Sequence, residues 1–328
     1  NIFFPYLEKH GIKTVIHLGD IVDRRKFINY VILNRLKTDF IFKLKQMGID
    51  FHVIIGNHDV PYRNTNVVNS MNELFGSNDG NHYPKFYSEP ATVNFDGTDI
   101  CFMPWINNSN YNSSLQHIKN TRAQILLGHL EIAGFHMNKD MVNEHGLQQK
   151  IFDDFELVCS GHFHTKSNKS NVHYLGTPYE LTWSDYNDQK GFHILDTNTR
   201  DLLRITNPYK MHYKIFYNDK DKTLEDITNY DFDSLQGAYV KVITIQKTNP
   251  YWFDLFLDKV YKSNPENLTI VDDHKHMDQT DEEELINEAE DTMTILRKYI
   301  DGLDANVDKK QLTSVISSLY NQALYIDV

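Results

Sequence analysis

The sequence predicts a layered α/β domain over residues 1–204, a small α+β module over residues 205–271 and a helical segment at the C-terminus. Short apolar runs that end in glycine or polar residues recur through the first domain, and helical stretches separate several of them. Such runs are typical of strands that are buried on both faces by covering layers. Polar clusters follow the runs, at the strand ends where sheets of this kind place their chemistry.

Seven apolar runs are predicted strands of the first domain, with one long helix between the first two. The strands are Thr14–Leu18, Phe51–Ile55, Asp99–Trp105, Gln124–Leu127, Leu157–Ser160, Val172–Leu175 and Phe192–Leu195, and the helix is Phe27–Met47. The second module is predicted to contain the strands Met211–Tyr217, Tyr239–Gln246 and Leu268–Val271 and the helix Tyr251–Tyr261. Alternation of short strands with helices indicates one layered domain and a smaller α+β module.

The C-terminal part of the chain is predicted to be an acidic linker, 272–280, followed by two amphipathic helices in 281–328. A capping-box pattern, Thr280-x-x-Glu283, marks the start of the first helix. Two apolar faces within about 45 residues are a thin core for a structure that stands alone. The sequence therefore favours docking of this segment on a partner.

Charge and cysteine content limit the possible environments of the protein. The net charge is −12, but the stretch from Pro265 to Val328 carries 15 acidic and five basic residues, so the remainder is nearly neutral. Net charge therefore does not exclude nucleic acid as a partner. No apolar run approaches the roughly 18 residues of a membrane helix. Cys101 and Cys159 lie far apart in the sequence, which favours a reducing, cytoplasmic compartment over a disulfide framework.

Four motifs place Asp, Asn or His directly after an apolar run and a glycine, which permits a sharp turn. In chain order they are Gly19-Asp20-Ile21-Val22-Asp23, Gly56-Asn57-His58-Asp59, Gly128-His129 and Gly161-His162-Phe163-His164. Oxygen and imidazole donors without thiolates suit divalent ions such as manganese, iron or zinc. Two ions about 3.5–4 Å apart would clamp a phosphate and hold a bridging hydroxide for in-line attack.

Each motif alone is explained as well by a turn or a helix cap. Lone histidines such as His17, His52 and His82 are expected to be core or surface residues without a role. Four motifs in this order, each at the end of an apolar run, are much harder to attribute to chance. The sequence therefore predicts a metal site built on the strand ends.

In these motifs the sequence resembles the calcineurin-like metallophosphoesterase superfamily, whose signatures are Gly-Asp-x-x-Asp, Gly-Asn-His-Asp, Gly-His and Gly-His-x-His. The resemblance implies an α-β-β-α sandwich. The usual first signature, Asp-x-His, is absent from the chain as written and is expected on an upstream strand, on the order of 30 residues earlier. Within the superfamily the chain is most similar to SbcD-type DNA repair nucleases, especially the small subunit of T4-like phage recombination endonucleases.

The resemblance implies a role for each motif residue. The implied ligands of two divalent ions are Asp20, Asn57, His129, His162 and His164. Asp20 would bridge both ions, and His164 would bind the second ion together with the Asp-x-His signature. His58 would be the catalytic histidine, which assists departure of the leaving oxygen.

Three further residues near the motifs are candidates for the site. Asp23 is expected to support catalysis, because some members of the family carry a second histidine at this position. Arg24 and Arg63 flank the motifs and are candidate phosphate contacts. A solvated face with ordinary ion pairs explains the two arginines equally well.

The function that the resemblance implies is that of a manganese-dependent DNA nuclease subunit. It would degrade double-stranded ends 3′ to 5′ and nick single strands, while an SbcC-type ABC ATPase partner hydrolyses ATP. The second module would cap the nuclease domain and help to hold DNA, the C-terminal helices would dock on the ATPase, and the subunit would form a homodimer within a heterotetramer. Two alternatives stay open: a phosphomonoesterase or protein phosphatase, and a binding subunit without catalytic activity.

Overall fold

The computed structural model describes residues 2–77, 82–137 and 142–271, together with Ile300, Lys309, Leu312 and Thr313. The chain divides into two compact units, Asn1–Met211 and His212–Val328. The boundary expected between residues 204 and 205 falls inside a strand, Leu202–Thr206, that pairs along its whole length with Gly191–Leu195. This pairing keeps the strand in the first unit, which extends to Met211. The expected linker, 272–280, lies outside the described residues, as does nearly all of 281–328.

The first unit contains all seven of the predicted strands, with ends that differ from the prediction by at most two residues. Its strands are β1 (Thr14–His17), β2 (Asp50–Ile54), β3 (Lys85–Tyr87), β4 (Ala91–Phe95), β5 (Thr98–Met103), β6 (Ile125–Gly128), β7 (Leu157–Ser160), β8 (Ser167–Lys169), β9 (Val172–Tyr174), β10 (Gly191–Leu195) and β11 (Leu202–Thr206). Its helices are α1 (Phe3–Lys9), α2 (Tyr30–Arg35), α3 (Phe42–Gln46), α4 (Ser70–Phe75) and α5 (Tyr111–Asn120).

The described residues of this unit form three sheets. A parallel sheet has the order β1-β2-β3, and a six-stranded sheet has the order β4-β5-β6-β7-β9-β8 with parallel pairing from β5 to β9. Strands β10 and β11 make a separate antiparallel pair. The carboxyl ends of β1 and β2, and likewise those of β6 and β7, therefore lie side by side, which is the arrangement that gathers the motifs.

Side-chain alternation along β2 shows how the layers stack. Phe51 and Val53 pack into a cluster with Leu7 of α1 and Leu44 of α3, whereas Ile54 packs into a second cluster with strands β5, β6 and β7 of the six-stranded sheet. Side chains that alternate along a strand point to opposite faces of its sheet. The sheet β1-β2-β3 is therefore covered by helices on one face and by the six-stranded sheet on the other.

Helix α5 supplies the fourth layer. Thr92 of β4 pairs with Cys101 of β5, and neither residue shares the face of Ile100 and Phe102 that meets the other sheet. His117 of α5 places its Nε2 3.1 Å from the Thr92 hydroxyl oxygen, on that outer face. The layers are helix, sheet, sheet and helix, which confirms the α-β-β-α sandwich expected for this domain.

The predicted helix Phe27–Met47 is present in a shorter and less regular form. It starts at Tyr30, where the side chain of Asn29 accepts a hydrogen bond of 2.8 Å from the Val31 N–H, and its middle, Leu36–Ile41, is π-helical. None of the α2 residues is buried, and Val31 is 67% exposed although its spacing suggested a core face. Burial begins only at Ile41, so the apolar pattern overstated how much of this helix faces the core.

The second unit has a parallel sheet of β12 (His212–Asn218), β13 (Tyr239–Gln246) and β14 (Asn267–Val271), with α6 (Leu224–Thr228) and α7 (Pro250–Lys262). Its core contains Val240 and Val242 of β13 and Phe253, Phe256 and Val260 of α7. The three predicted strands and the predicted helix are therefore present in a small α+β unit. Within the described parts of both units, no helix combines the length and apolarity needed to cross a membrane.

Candidate metal centre

Four motif residues converge at the carboxyl ends of β1, β2, β6 and β7. Asp20, His129 and His162 each offer one ligand atom, and these atoms lie within 4.8 Å of one another. Asn57 joins them, because one end of its amide lies 2.9 Å from His129 Nε2 and 3.0 Å from His162 Nδ1. We call these four residues the inner cluster. They lie far apart in the sequence, and the parallel strand ends bring them together.

The glycines of the motifs are required by close contacts. A Cβ atom at Gly19 would lie 2.3 Å from His129 Nδ1, and one at Gly56 would lie 2.2 Å from Asp20 Oδ1. Asp20 and His162 have φ values of 56° and 79°, in the left-handed region that non-glycine residues rarely adopt. Such conformations cost about 1–3 kcal/mol each and occur mainly where the surrounding structure enforces them. The backbone is thus bent at these positions so that the polar side chains face inward.

The two oxygens of Asp20 have different neighbours. Oδ1 accepts a hydrogen bond of 2.7 Å from the His58 main-chain N–H, and Oδ2 lies 3.2 Å from His129 Nε2. Burial alone would raise the pKa of Asp20, but the neighbouring His129, together with His58 and His162, outweighs burial and the pKa is lowered. Asp20 is therefore an ionised carboxylate inside the cluster, as a ligand for a divalent cation must be.

His129 is fully buried, and its tautomer is set by the main chain. Its Nδ1 lies 2.7 Å from the carbonyl oxygen of Leu18, which can only accept a hydrogen bond, so Nδ1 carries the proton. Nε2 is therefore the atom that faces the cluster. Burial acts to lower the pKa of His129, but the Asp20 carboxylate outweighs it and the pKa is raised. Positive charge is favoured at this point in the structure.

Asn57 and His162 complete a donor set that fits a cation. The Asn57 amide end that faces the imidazoles is also 3.3 Å from Asp20 Oδ2, and its other end is 2.8 Å from Arg25 Nη2. Without a cation, the hydrogen bonds are satisfied when the Asn57 amide nitrogen faces the cluster and its oxygen faces Arg25. A bound cation would favour the opposite orientation, with the amide oxygen toward the cluster. Burial, followed by the charge of His129, lowers the pKa of His162 well below its usual value, so this imidazole is neutral and able to bind metal.

His58 lies beside the cluster and is oriented by a main-chain carbonyl. Its Nδ1 is 2.6 Å from the carbonyl oxygen of Asp23, which leaves Nε2 as the atom available to a substrate. The Asp23 side chain is 78% exposed and lies 3.8 Å from the Arg24 guanidinium. Asp23, expected to support catalysis, thus contacts His58 through its backbone, and its carboxylate points to solvent.

His164 is held apart from the other predicted ligands. It is outside the group whose ligand atoms lie within 4.8 Å, its side chain is 34% exposed, and its Nδ1 is 3.5 Å from Asp185 Oδ2. The structure therefore brings four of the five predicted ligands together and holds the fifth through a carboxylate.

The two candidate phosphate contacts both have other interactions. Arg24 lies against Asp23, and its guanidinium carbon is 5.5 Å from the centre of the Phe27 ring. Arg63 lies close enough to Glu131 for its charge to oppose the effect of burial, which raises the pKa of that carboxyl group. The Arg24 side chain is nonetheless 68% exposed.

Asp59 is a residue of the site whose role the sequence did not indicate. It is 1% exposed, and its carboxylate accepts hydrogen bonds from the main-chain N–H groups of Gly56 (2.8 Å), Asp20 (2.8 Å) and Ile21 (3.0 Å). It therefore ties the loop after β1 to the loop after β2. Burial, followed by the charge of Asp20, raises the pKa of Asp59 to about 6. Its place in the second motif was the available signal, but main-chain donors cannot be read from a sequence.

Trp105 and His17 also lie at the cluster without having been predicted there. The Trp105 ring centre is 5.3 Å from that of His162 and 6.2 Å from that of His129. Its main chain is held on both sides, since its N–H donates to the Ile55 carbonyl and its own carbonyl accepts from the Asn66 amide, each at 2.8 Å. Burial lowers the pKa of His17 to about 4, so this neighbour of Asp20 is neutral.

Comparison with known proteins agrees with the geometry. Residues 3–166 match the calcineurin-like phosphoesterase family. The chain is 35% identical to exonuclease subunit 1 of Enterobacteria phage T4 over 323 residues, which cover 97% of this chain and 90% of that protein. It is also 23% identical to the DNA double-strand break repair protein Mre11 of Methanococcus maripaludis, over 90% of this chain and 81% of that protein.

A third relative matches a smaller part of the chain. The SbcD component of the nuclease SbcCD from Staphylococcus epidermidis is 24% identical, over 62% of this chain and 60% of that protein. The family match covers the strands that carry all four motifs, and the phage relative matches almost from end to end. The chain belongs to the calcineurin-like phosphoesterase family.

Proposed function

We propose that this protein is a metal-dependent DNA nuclease subunit that hydrolyses phosphodiester bonds as a double-strand 3′–5′ exonuclease and a single-strand endonuclease. The observation that carries the proposal is the inner cluster, in which one carboxylate, one amide and two imidazoles converge beside His58. Relatives named as an exonuclease subunit, a break-repair protein and a nuclease subunit support the choice of DNA over other phosphoesters.

The donor set defines which cations fit. Nitrogen and oxygen donors without thiolate suit manganese, iron or zinc, and we propose two ions with manganese as the working metal. Such ions supply Lewis-acid activation of the phosphate and a nucleophile at neutral pH. The protein contributes the ionised Asp20 and a neutral His162, together with His129, whose Nδ1 proton is held by Leu18 so that Nε2 faces the site.

His58 is the group proposed to meet the scissile phosphate. The hydrogen bond from Nδ1 to the Asp23 carbonyl keeps that proton in place and aims Nε2 outward. When doubly protonated, His58 transfers the Nε2 proton to the departing oxygen as the phosphorus–oxygen bond breaks. The neutral imidazole that remains keeps its Nδ1 proton on the same carbonyl.

The second ion is proposed to use His164 and the Asp-x-His signature.

The assembly is proposed on the names of the relatives, two of which are called subunits. We propose that residues 281–328 dock on an SbcC-type ABC ATPase, that the α+β module of residues 205–271 helps to hold DNA, and that the subunit forms a homodimer within a heterotetramer. The complex would act in the cytoplasm, which for a phage-encoded protein is that of the host.

A nuclease assay on the full-length protein tests the proposal. Linear duplex DNA labelled at either end is incubated with Mn²⁺ and the wild type, His58→Ala or His10→Ala, in which the altered histidine stacks on Tyr6 in α1. We expect 3′–5′ degradation by the wild type and His10→Ala, and a loss of about 10²–10⁴-fold in His58→Ala. Turnover of a phosphopeptide with intact DNA would contradict the proposal, as would inactivity on both substrates with and without the ATPase.

A further inference from the structure

A buried ion pair lies behind His164. Asp185 and Lys190 are 1% and 3% exposed, and Lys190 Nζ lies 2.7 Å from Asp185 Oδ1. The same ammonium group donates to the His164 carbonyl at 2.8 Å and to Asp188 Oδ2 at 2.9 Å. All three protons of the ammonium group therefore have acceptors.

The other oxygen of Asp185 is held by the main chain. Oδ2 accepts hydrogen bonds from the N–H groups of Leu181 at 2.9 Å and Thr182 at 3.1 Å, as the capping carboxylate of a short 3₁₀ turn. His164 Nδ1 is 3.5 Å from this same oxygen. With main-chain donors on one oxygen and Lys190 on the other, the carboxylate is fixed in the orientation that faces His164.

His164 is thus held at both its backbone and its ring. Lys190 and the Thr177 N–H, at 3.1 Å, bind its carbonyl, and Asp185 faces its Nδ1. A buried ion pair is weak evidence for stability by itself, because desolvation of two charges offsets much of their attraction. Contacts with both the backbone and the ring of one histidine of the Gly-His-x-His motif indicate a positioning role.

We propose that Asp185 and Lys190 are positioning residues that hold the Nδ1–H tautomer of His164 and aim its Nε2 at the metal centre. The inference rests on the proposed role of His164 as a metal ligand. Carboxylates that accept the second N–H of a ligand histidine fix its tautomer and orientation, and their loss typically costs 10–100-fold in metal affinity. Among the described residues, neither Asp185 nor Lys190 has a hydrogen bond or ion pair with the inner cluster, so we expect the effect to act through His164.

The decisive comparison is between Asp185→Asn and Asp188→Asn. Both substitutions remove a carboxylate that binds Lys190, but only Asp185 faces His164. In the full-length, metal-free protein, two-bond ¹⁵N–¹H correlation spectra report the His164 tautomer. We expect a single Nδ1–H form in the wild type and in Asp188→Asn, and a mixture in Asp185→Asn. An unchanged tautomer in Asp185→Asn would overturn the proposal.

Mn²⁺ titration gives a second readout and separates two kinds of failure. We expect 10–100-fold weaker binding of one Mn²⁺ ion in Asp185→Asn and Lys190→Met, and wild-type binding in Asp188→Asn. Thermal unfolding without metal identifies any variant that is merely destabilised. If His164→Ala binds Mn²⁺ like the wild type, the ligand role in the proposed function fails. If His164→Ala weakens binding but Asp185→Asn does not, only the positioning role fails.

Discussion

His129 and His164 occupy similar places in the sequence but are held by different means. His129 is fully buried and donates its Nδ1 proton to the carbonyl of Leu18, just after β1. His164 is 34% exposed, and its Nδ1 faces the carboxylate of Asp185, which lies in a short 3₁₀ turn between β9 and β10. The partner of His129 is a main-chain carbonyl at the end of a strand, whereas the support of His164 depends on the side chains of Asp185 and Lys190. We therefore expect the inner cluster to keep its metal-binding geometry after substitutions that displace His164.

The largest effect is expected from a direct comparison of the two histidines. His129→Ala removes an inner ligand and leaves the partly buried Leu18 carbonyl without its donor, which costs about 1–3 kcal/mol of unfolding free energy. In this variant we expect the Mn²⁺ affinity of the inner cluster to fall by more than the 10–100-fold that is typical when a residue supporting a metal ligand is lost. His164→Ala should leave the inner cluster occupied. Mn²⁺ titration measures the affinity of the inner cluster in both variants, and urea unfolding measures their stability. Equal losses of Mn²⁺ affinity in His129→Ala and His164→Ala would contradict the comparison.

A steric change inside the inner cluster is expected to come next. An added methyl at Gly19 would lie 2.3 Å from His129 Nδ1, at a φ of 96°, so Gly19→Ala must displace the imidazole and strain the backbone. Overpacking of this kind costs about 1–3 kcal/mol. Gly11→Ala is the matched control, since its φ is 64° but no atom lies within 4 Å of the added carbon. Similar losses of stability and Mn²⁺ affinity in both variants would show that the backbone, not the contact, is responsible.

Asp23 sharpens the distinction between main-chain and side-chain support. Because His58 binds the Asp23 carbonyl and the Asp23 carboxylate is 78% exposed, Asp23→Ala should change turnover only a few-fold. Loss of His58 itself should cost about 10²–10⁴-fold. Steady-state nuclease kinetics of Asp23→Ala and His58→Ala give the ratio of the two losses in turnover. A loss in Asp23→Ala as large as that in His58→Ala would mean that the carboxylate acts directly.

The smallest effect concerns acid stability. Burial, then the charges of Arg204 and Lys166, lower the pKa of His193 to about 4, below the 6.5 of an unfolded histidine. The unfolded state therefore binds the extra proton first, so stability is lost as pH falls from about 6.5 to 4. We expect His193→Gln to remove on the order of 1 kcal/mol of this pH dependence, after allowance for partial exposure. Urea unfolding between pH 4 and 7 measures it, and an unchanged slope would contradict the assignment.

The parts of the molecule that follow from local pattern were predictable. Apolar runs followed by glycine and a polar residue indicated the strands and placed Asp20, Asn57, His129 and His162 at one edge. This worked because strands buried on both faces leave a strong local signal and because the carboxyl ends of parallel strands meet.

Features that depend on distant contacts were not predictable. The carbonyls of Leu18 and Asp23 hold two histidines, but a carbonyl is common to every residue and leaves no mark in the sequence. Asp185 and Lys190 lie in a segment without periodicity, so nothing local connects them to His164. The exposed apolar residues of α2 show the converse error, since helical spacing indicates a face but not whether anything covers it.

Anomalous diffraction at the manganese edge from crystals grown with Mn²⁺ tests the central claim most directly. The claim is that Asp20, Asn57, His129 and His162 form a metal centre at the strand ends. We predict an anomalous peak within bonding distance of these four side chains, with the Asn57 amide oxygen turned toward the peak and away from Arg25. A peak elsewhere, with none at this cluster at saturating Mn²⁺, would contradict the account.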